Sequence, residues 1–303
     1  MKTRINSKNS AFKISTGYRI FSVLNYIALL LLVFATVYPM YYILIVSISS
    51  GTFVSRGDVT IFPRGITFSA YKTVFQNSDI WRSYINTLLY TTVGTFINIL
   101  LSSMCAYPLS RKDFYGRSVF TFIVAFTMFM SGGMIPLYLT VLKLRLIDTM
   151  WAIVLPPAIS TYNMIIMRTF FQGIPISLQE SAFLDGANDL QIIWKIILPL
   201  SKPIMATMVL FYAVGHWNSF FPALIYLNSK SKYPVQVLLR NIVIAGEFAD
   251  QQTSIGNVES NFAVIATNYK YAVIIISVVP ILLVYPFLQK HFAKGVMVGA
   301  IKG

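Results

Sequence analysis

The chain has 303 residues, of which 56% are hydrophobic, 15% aromatic and only 11% charged. A soluble domain carries about 25% charged side chains, so a cytosolic or secreted protein is excluded, and the apolar content excludes disorder. A single cysteine, Cys105, excludes an intrachain disulfide and a cysteine-based metal site, while the net charge of +14 calls for either nucleic acid or a membrane.

The length accommodates roughly six membrane spans of about 20 apolar residues each, with connecting loops. Residues 1–19 form a basic N-terminal segment with Lys2, Arg4, Lys8, Lys13 and Arg19. Within it, residues 7–18 could lie along the inner membrane surface. The first span is expected at 20–47. Its apolar run far exceeds the core of a cleavable signal peptide, about 7–15 residues, so it is read as retained. Further spans are expected at 83–109, 118–139, 150–171, 203–227 and 271–288. Several contain prolines: Pro39, Pro136, Pro156 with Pro157, Pro222, Pro280 and Pro286. Neighbouring helices in a membrane bundle can satisfy the carbonyls that such residues free. The expected fold is an all-α integral membrane bundle of six transmembrane helices over residues 20–290, ending in a tail at 291–303.

Basic residues orient such a bundle, because cytoplasmic loops collect lysine and arginine. With a cytoplasmic N-terminus, fourteen of the 24 basic residues and four of the ten acids fall inside. The inner segments are then net +10 and the outer ones +4. Both termini are expected in the cytoplasm, and no nucleic acid is needed to explain the charge. The outer loops are 51–82, 140–149 and 228–270. The last carries Gly246, Glu247, Asp250, Gln251, Gln252, Asn257, Glu259 and Asn261. It is either a solvated connector or a surface for an external partner; loops of this length are usually functional.

The sequence lacks the glycine-rich lysine motif of a phosphate-binding loop and the H-E-x-x-H zinc motif. It also lacks the G-x-S-x-G elbow. Its two histidines, His216 and His291, are too far apart to suggest a metal pair. No catalytic residues and no metal ligands are assigned, which leaves a pathway, an anchor or a channel.

The inner segment 174–199 has an internal logic. Ser177 and Glu180 have capping-box spacing, so a helix should begin near Leu178, and Gly186 can end it with positive φ. Asn188 and Gln191 repeat the capping spacing, and Asp189 suits a helix N-terminus. This second helix should run to about Ile197 and stop before Pro199. Phe183, Leu184, Ile192 and Ile193 are apolar, and Ala182 and Ala187 are small, so the knob should pack against protein. Alone, Glu180 could be only a cap and Gly186 only a helix end.

These residues resemble the EAA loop of binding-protein-dependent ABC importer permeases. Glu180, Ala182 and Gly186 fall on its pattern, and Ile196, Leu198 and Pro199 complete it; Ser181 replaces an alanine. Residues 106–111 with Gly116, the run from Ser131 to Leu139, Trp217-Asn218 and the tail 295–303 resemble the maltose-permease-like carbohydrate branch, which takes oligosaccharides or polysaccharide fragments.

The resemblance implies a permease subunit with no ATPase activity of its own, in a bacterial cell membrane. Its implied partners are a second permease, ABC ATPase subunits that bind ATP and Mg, and an external solute-binding protein. Glu180, Ala182, Asp185, Gly186, Leu198 and Pro199 are then expected to couple to the ATPase. Sugars favour aromatic platforms beside hydrogen-bonding groups. Tyr162, Asn163, His216, Trp217, Asn218, Phe220 and Phe221 are therefore pathway candidates, unless they serve interhelical packing or interfacial anchoring. A permease for another small solute remains an alternative, as does a secondary transporter. The latter would need ionisable residues within its spans, and these are nearly free of them.

Overall fold

A computed structural model describes residues 16–254 and 268–283, together with Pro286. The basic residues before position 16, Asn257, Glu259, Asn261, His291 and the tail 295–303 lie outside the described residues. Among the described residues all regular structure is helical.

Helix α1 (Thr16–Ser47) is apolar on every side and buries only Ile45, Val46 and Ser47 at its end. Such a helix belongs in a membrane or a large core. Two short helices follow, α2 (Gly51–Ser55) and α3 (Ser69–Gln76), so the loop expected at 51–82 is partly helical. Helix α4 (Ser78–Ser110) starts where the Asn77 side chain accepts from the Asp79 N–H at 2.9 Å. It packs chiefly against α8 (Thr161–Gln172) and α12 (Lys202–Trp217). Its buried stripe reads Ser83, Thr87, Tyr90, Gly94, Asn98, Ser102, Ala106 and Ser110, a residue every three or four positions. Small and polar residues there let backbones approach and helices bond across the contact, as in membrane bundles. Helices α1 and α4 are each long and apolar enough to cross a membrane alone.

The third, fourth and fifth expected spans are not continuous helices. The third breaks into α5 (Arg117–Phe126) and α6 (Met134–Lys143) across Gly132 and Gly133, the latter at φ +84°. The fourth breaks at Pro156-Pro157 into α7 (Trp151–Val154) and α8. The fifth breaks after α12 into α13 (Phe221–Tyr226), which begins on Pro222 in its first turn, where proline is tolerated. The long loop expected at 228–270 is also corrected, since α14 (Val235–Ser254) fills much of it. A last helix, α15 (Asn268–Leu283), supplies the described part of the sixth expected span.

The core lies in layers along the bundle. At one end, Ala106, Tyr107 and Leu109 of α4 pack with Met164, Met167 and Phe171 of α8, Ile204 and Met208 of α12, and buried residues of segment 174–199. At the other end, Tyr90, Val141, Ala152, Ile153, Ala223, Tyr226 and Val237 form a second cluster.

Candidate functional site

Two features stand at the places singled out by the sequence. The first is segment 174–199. Helix α9 (Ile176–Leu184) starts two residues earlier than the capping spacing suggests, with Pro175 at φ −56° as its cap residue. Ser177 therefore falls inside the first turn and its hydroxyl makes no cap bond, so the expected Ser177–Glu180 box does not form. The other end is as expected. Gly186 sits at φ +81°. Its N–H donates to Phe183 O at 3.0 Å and that of Ala187 to Ala182 O at 2.9 Å, the paired closure of a left-handed helix end. The second box forms in full: Asn188 Oδ1 accepts from Gln191 N at 2.8 Å, and Gln191 Oε1 accepts from Asn188 N at 3.0 Å.

The second helix does not stop before Pro199. From α10 (Asp189–Ile192) it widens into a π turn over Ile193–Ile197 and continues as α11 (Leu198–Leu200). Proline lacks an N–H and its ring excludes the carbonyl four residues back. In the wider turn Leu198 N bonds to Ile193 O, five residues back, which takes the chain past Pro199 without ending the helix. The chain then bends by 87° between Asp189–Leu200 and α12.

The apolar residues of this segment divide between two faces. Ala182, Ile192, Ile193 and Ile197 are buried in the chain's own core. Leu184 is 89% exposed, with Leu190 and Trp194 also outward, so the free apolar face is narrower than expected. Sequence reasoning missed the fastening of this segment. Arg111, just past α4, donates from Nη1 to Asp189 Oδ1 at 2.8 Å and from Nε to Asp113 Oδ1 at 3.0 Å. Its guanidinium also lies 4.9 Å from the Phe183 ring centroid, a cation–π distance. Hydrogen bonding to Arg111 holds the Asp113 carboxyl below the usual carboxylate range, and Asp113 in turn raises Arg111. Arg111 and Asp189 are 78 residues apart, so no local pattern marks the pair.

The second feature is a cavity of about 470 Å³ where α6, α7, α8, α12 and α13 meet. It is lined by Leu137 of α6, the break residues Pro156, Pro157 and Ser160, and Asn163, Tyr212, His216, Ser219, Pro222 and Tyr226. All three broken helices thus open onto one space. A neighbouring cavity of about 550 Å³ shares Leu137, Pro222 and Tyr226 with it and is lined by Ser131, Gly132 and Gly133.

Asn98 holds this region together. Its Nδ2 donates to the carbonyls of Pro157 at 2.5 Å and Ala158 at 2.9 Å, which the proline break leaves without helical partners. Both amide hydrogens are then used, so Oδ1 can only accept, and it lies 2.6 Å from His216 Nε2. His216 therefore carries its proton on Nε2. Tyr212 braces the same break from α12. Its hydroxyl pairs with Ser102 at 2.7 Å and accepts from Ser160 N at 3.4 Å.

Of the pathway candidates, Asn163 and His216 line the cavity; Tyr162, Trp217, Asn218 and Phe220 do not. Trp217 is buried elsewhere, donating to Ser277 O of α15 at 3.3 Å with its ring edge on Tyr84. Asn218 ends α12, while Tyr162 and Phe220 are exposed, and Phe221 lines the neighbouring cavity. Asn98 was legible in principle, as an amide in a long apolar run, where polar groups usually have a partner.

Residues 98–298 match the family described as binding-protein-dependent transport system inner membrane component. The chain belongs to that family. Among relatives of this inner membrane component, the polygalacturonan/rhamnogalacturonan transport system permease protein YtcP of Bacillus subtilis (strain 168) is 44% identical over 285 residues, 94% of this chain and 99% of that protein. Protein LplC of the same organism is 43% identical over 285 residues, 94% of this chain and 96% of its own. A crystal structure of a bacterial ABC transporter involved in the import of the acidic polysaccharide alginate aligns with a TM-score of 0.83 at 38% identity, covering 92% of this chain and 98% of that one. The chain is accordingly a permease component of ABC import, and not an ATPase.

Proposed function

We propose that this permease forms half of the translocation pathway of an ATP-driven importer for oligosaccharides or polysaccharide fragments. It crosses the bacterial cytoplasmic membrane six times with both termini inside, a second permease supplying the other half. The convergence of three broken helices on one cavity carries this reading. Non-helical backbone at membrane depth survives only where protein buries it or where it lines a watery cavity. The lining combines apolar and aromatic surface with Ser160, Asn163, His216 and Ser219, a mixture suited to the two-faced chemistry of sugars. Among the described residues it contains no carboxylate, lysine or arginine, which weighs against the ion relay of a secondary transporter.

Segment 174–199 is the docking element for an ABC ATPase, which binds ATP and Mg and hydrolyses the nucleotide. Asp185 and Gly186 form its joint, Glu180 is exposed on α9 as a contact for the ATPase, and Leu198 and Pro199 lead to α12. A solute-binding protein delivers the sugar on the opposite face. The names of the relatives support carbohydrate cargo, two of them naming polygalacturonan and alginate. The test is purification of the tagged chain from its native host, then uptake of oligogalacturonate into proteoliposomes. A second permease and an ATPase should co-purify, and uptake should require ATP and the binding protein. A chain that purifies without an ATPase, or uptake driven by an ion gradient alone, would reject the reading.

A further inference from the structure

At the end of α4 that carries segment 174–199, two arginines share neutral acceptors. Arg117 Nε donates to Leu109 O at 3.1 Å, and Arg168 Nε donates to the same oxygen at 2.9 Å. With its amide oriented to suit both groups, Gln172 Oε1 accepts from Arg117 Nη2 at 2.6 Å and from Arg168 Nη2 at 3.2 Å. The two guanidiniums are thus side by side. The contrast with Arg111 is sharp, because Arg111 bonds two carboxylates, Asp113 and Asp189. Among the described residues, no carboxylate is paired with Arg117 or Arg168. Each guanidinium has five N–H groups, and the bonds to Leu109 and Gln172 leave several unused. Like charges this close favour an anion between or beside them.

The surroundings say which anion. Arg117 opens α5, which buries none of its residues. Above it Val119, Phe120, Phe122 and Ile123 are exposed, and beside it Tyr115 is 96% exposed. A charged head at the arginines and an apolar tail along α5 describe one amphiphile. Basic pockets between spans, with tyrosine near the headgroups, are where anionic lipids bind.

We propose that Arg117 and Arg168 bind the phosphate of an anionic phospholipid. The assignment to the cytoplasmic leaflet rests on the orientation proposed above; the site itself does not. Lipid retention is measurable without any transport, so failure of the importer reading and failure of this site are separable.

The test is native mass spectrometry of the purified complex after exchange into detergent with equal phosphatidylglycerol and phosphatidylcholine. The wild type should retain phosphatidylglycerol over phosphatidylcholine by about tenfold. Arg117→Gln/Arg168→Gln should lose that preference, and Arg117→Lys/Arg168→Lys should keep much of it. If the double glutamine variant does not assemble, Arg168→Gln alone should show a reduced preference. Millimolar inorganic phosphate should not displace the lipid; if it does, the site takes free anions and the lipid assignment fails. An unchanged preference in the glutamine variants overturns the proposal. If those variants instead shed a partner subunit with the preference intact, the arginines are a protein contact and the proposal is equally overturned.

Discussion

His216 and Asn98 meet across 118 residues of sequence, ring nitrogen to amide oxygen at 2.6 Å. The amide nitrogen of Asn98 meanwhile ties down the break between α7 and α8 through Pro157 and Ala158. One side chain therefore serves three partners. Replacement by alanine leaves two carbonyls and one ring N–H without them. Asn98→Ala should lower stability by roughly 2–4 kcal/mol, read as a drop in the thermal midpoint of the purified complex. Asn98→Asp should be worse at neutral pH, because a carboxylate would face the two carbonyls.

Gly94 makes room for that ring. A Cβ there would lie 2.5 Å from His216 Cε1 and 2.8 Å from Cδ2, closer than unbonded carbons allow. Gly94→Ala should destabilise by about 1–3 kcal/mol. Paired with His216→Ser, the same change should cost far less, because the obstructing ring is gone. A double-mutant cycle of thermal midpoints gives the coupling; additive effects would mean that the contact is not the cause.

Gly186 tests segment 174–199 without touching the spans. Among the described residues nothing lies within 4 Å of a Cβ built there, but its φ is +81°. The cost of a substitution is therefore backbone strain alone, about 1–2 kcal/mol for a β-branched residue. Gly186→Val should leave membrane expression near normal while transport-coupled ATP hydrolysis in proteoliposomes is lost. Gly186→Asn, which tolerates the left-handed region, should retain most of it. Full coupled hydrolysis in Gly186→Val would count against docking through this joint.

Arg111 gives a graded series. Arg111→Lys keeps a charge but not the forked geometry that reaches Asp113 and Asp189 together. We expect coupled ATPase activity to fall in the order wild type, Arg111→Lys, Arg111→Ala. Asp189→Asn should resemble the lysine variant. Equal activities across the series would show that the fastening is dispensable.

At the opposite end, Asp148 sits at φ +58° and accepts from Asn228 N, Ser229 N, Ser229 Oγ and Lys232 Nζ. The Lys232 ammonium and the Ser229 donors hold its carboxyl well below the usual carboxylate range. Its contribution to stability is thus complete at neutral pH, and it is lost as pH falls from about 4 towards the depressed value. The thermal midpoint of Asp148→Asn should lie below that of the wild type at pH 7, and the gap should narrow on acidification. A gap that stays constant would remove the carboxylate from the account.

The all-helical character was legible from composition, and so were the joint at Gly186 and the box at Asn188 and Gln191, because each depends on neighbours in sequence. The breaks at Gly133, at Pro156-Pro157 and ahead of Pro222 were visible as residues but not as breaks. A proline can kink a membrane helix or end it, and the outcome depends on what receives the freed carbonyls. Here the carbonyls of Pro157 and Ala158, within the break itself, are received by Asn98, on another helix. Two pathway candidates line the cavity, yet Trp217 faces α15, because its indole N–H found the Ser277 carbonyl. The Ser177 box failed for a local reason: Pro175 fixes the chain direction and starts α9 early.

The bend beside Ser201 has a mechanical meaning. From Asp189 to Leu200 the helix extends about 18 Å at 1.5 Å per residue, and it meets α12 at 87°. A force applied sideways at its Asp189 end, which Arg111 ties to the end of α4, would exert a torque about the α12 axis. A displacement of about 3 Å at the tip corresponds to a turn of roughly 10° over that arm, and to about 1 Å at the α12 surface, some 5–6 Å from its axis. If segment 174–199 receives the stroke of an ATPase as proposed, this geometry would act as a crank with mechanical advantage: a large, weak stroke at the tip would become a small, forceful rotation. His216 and Tyr212, carried on α12 beside the cavity, would turn with it.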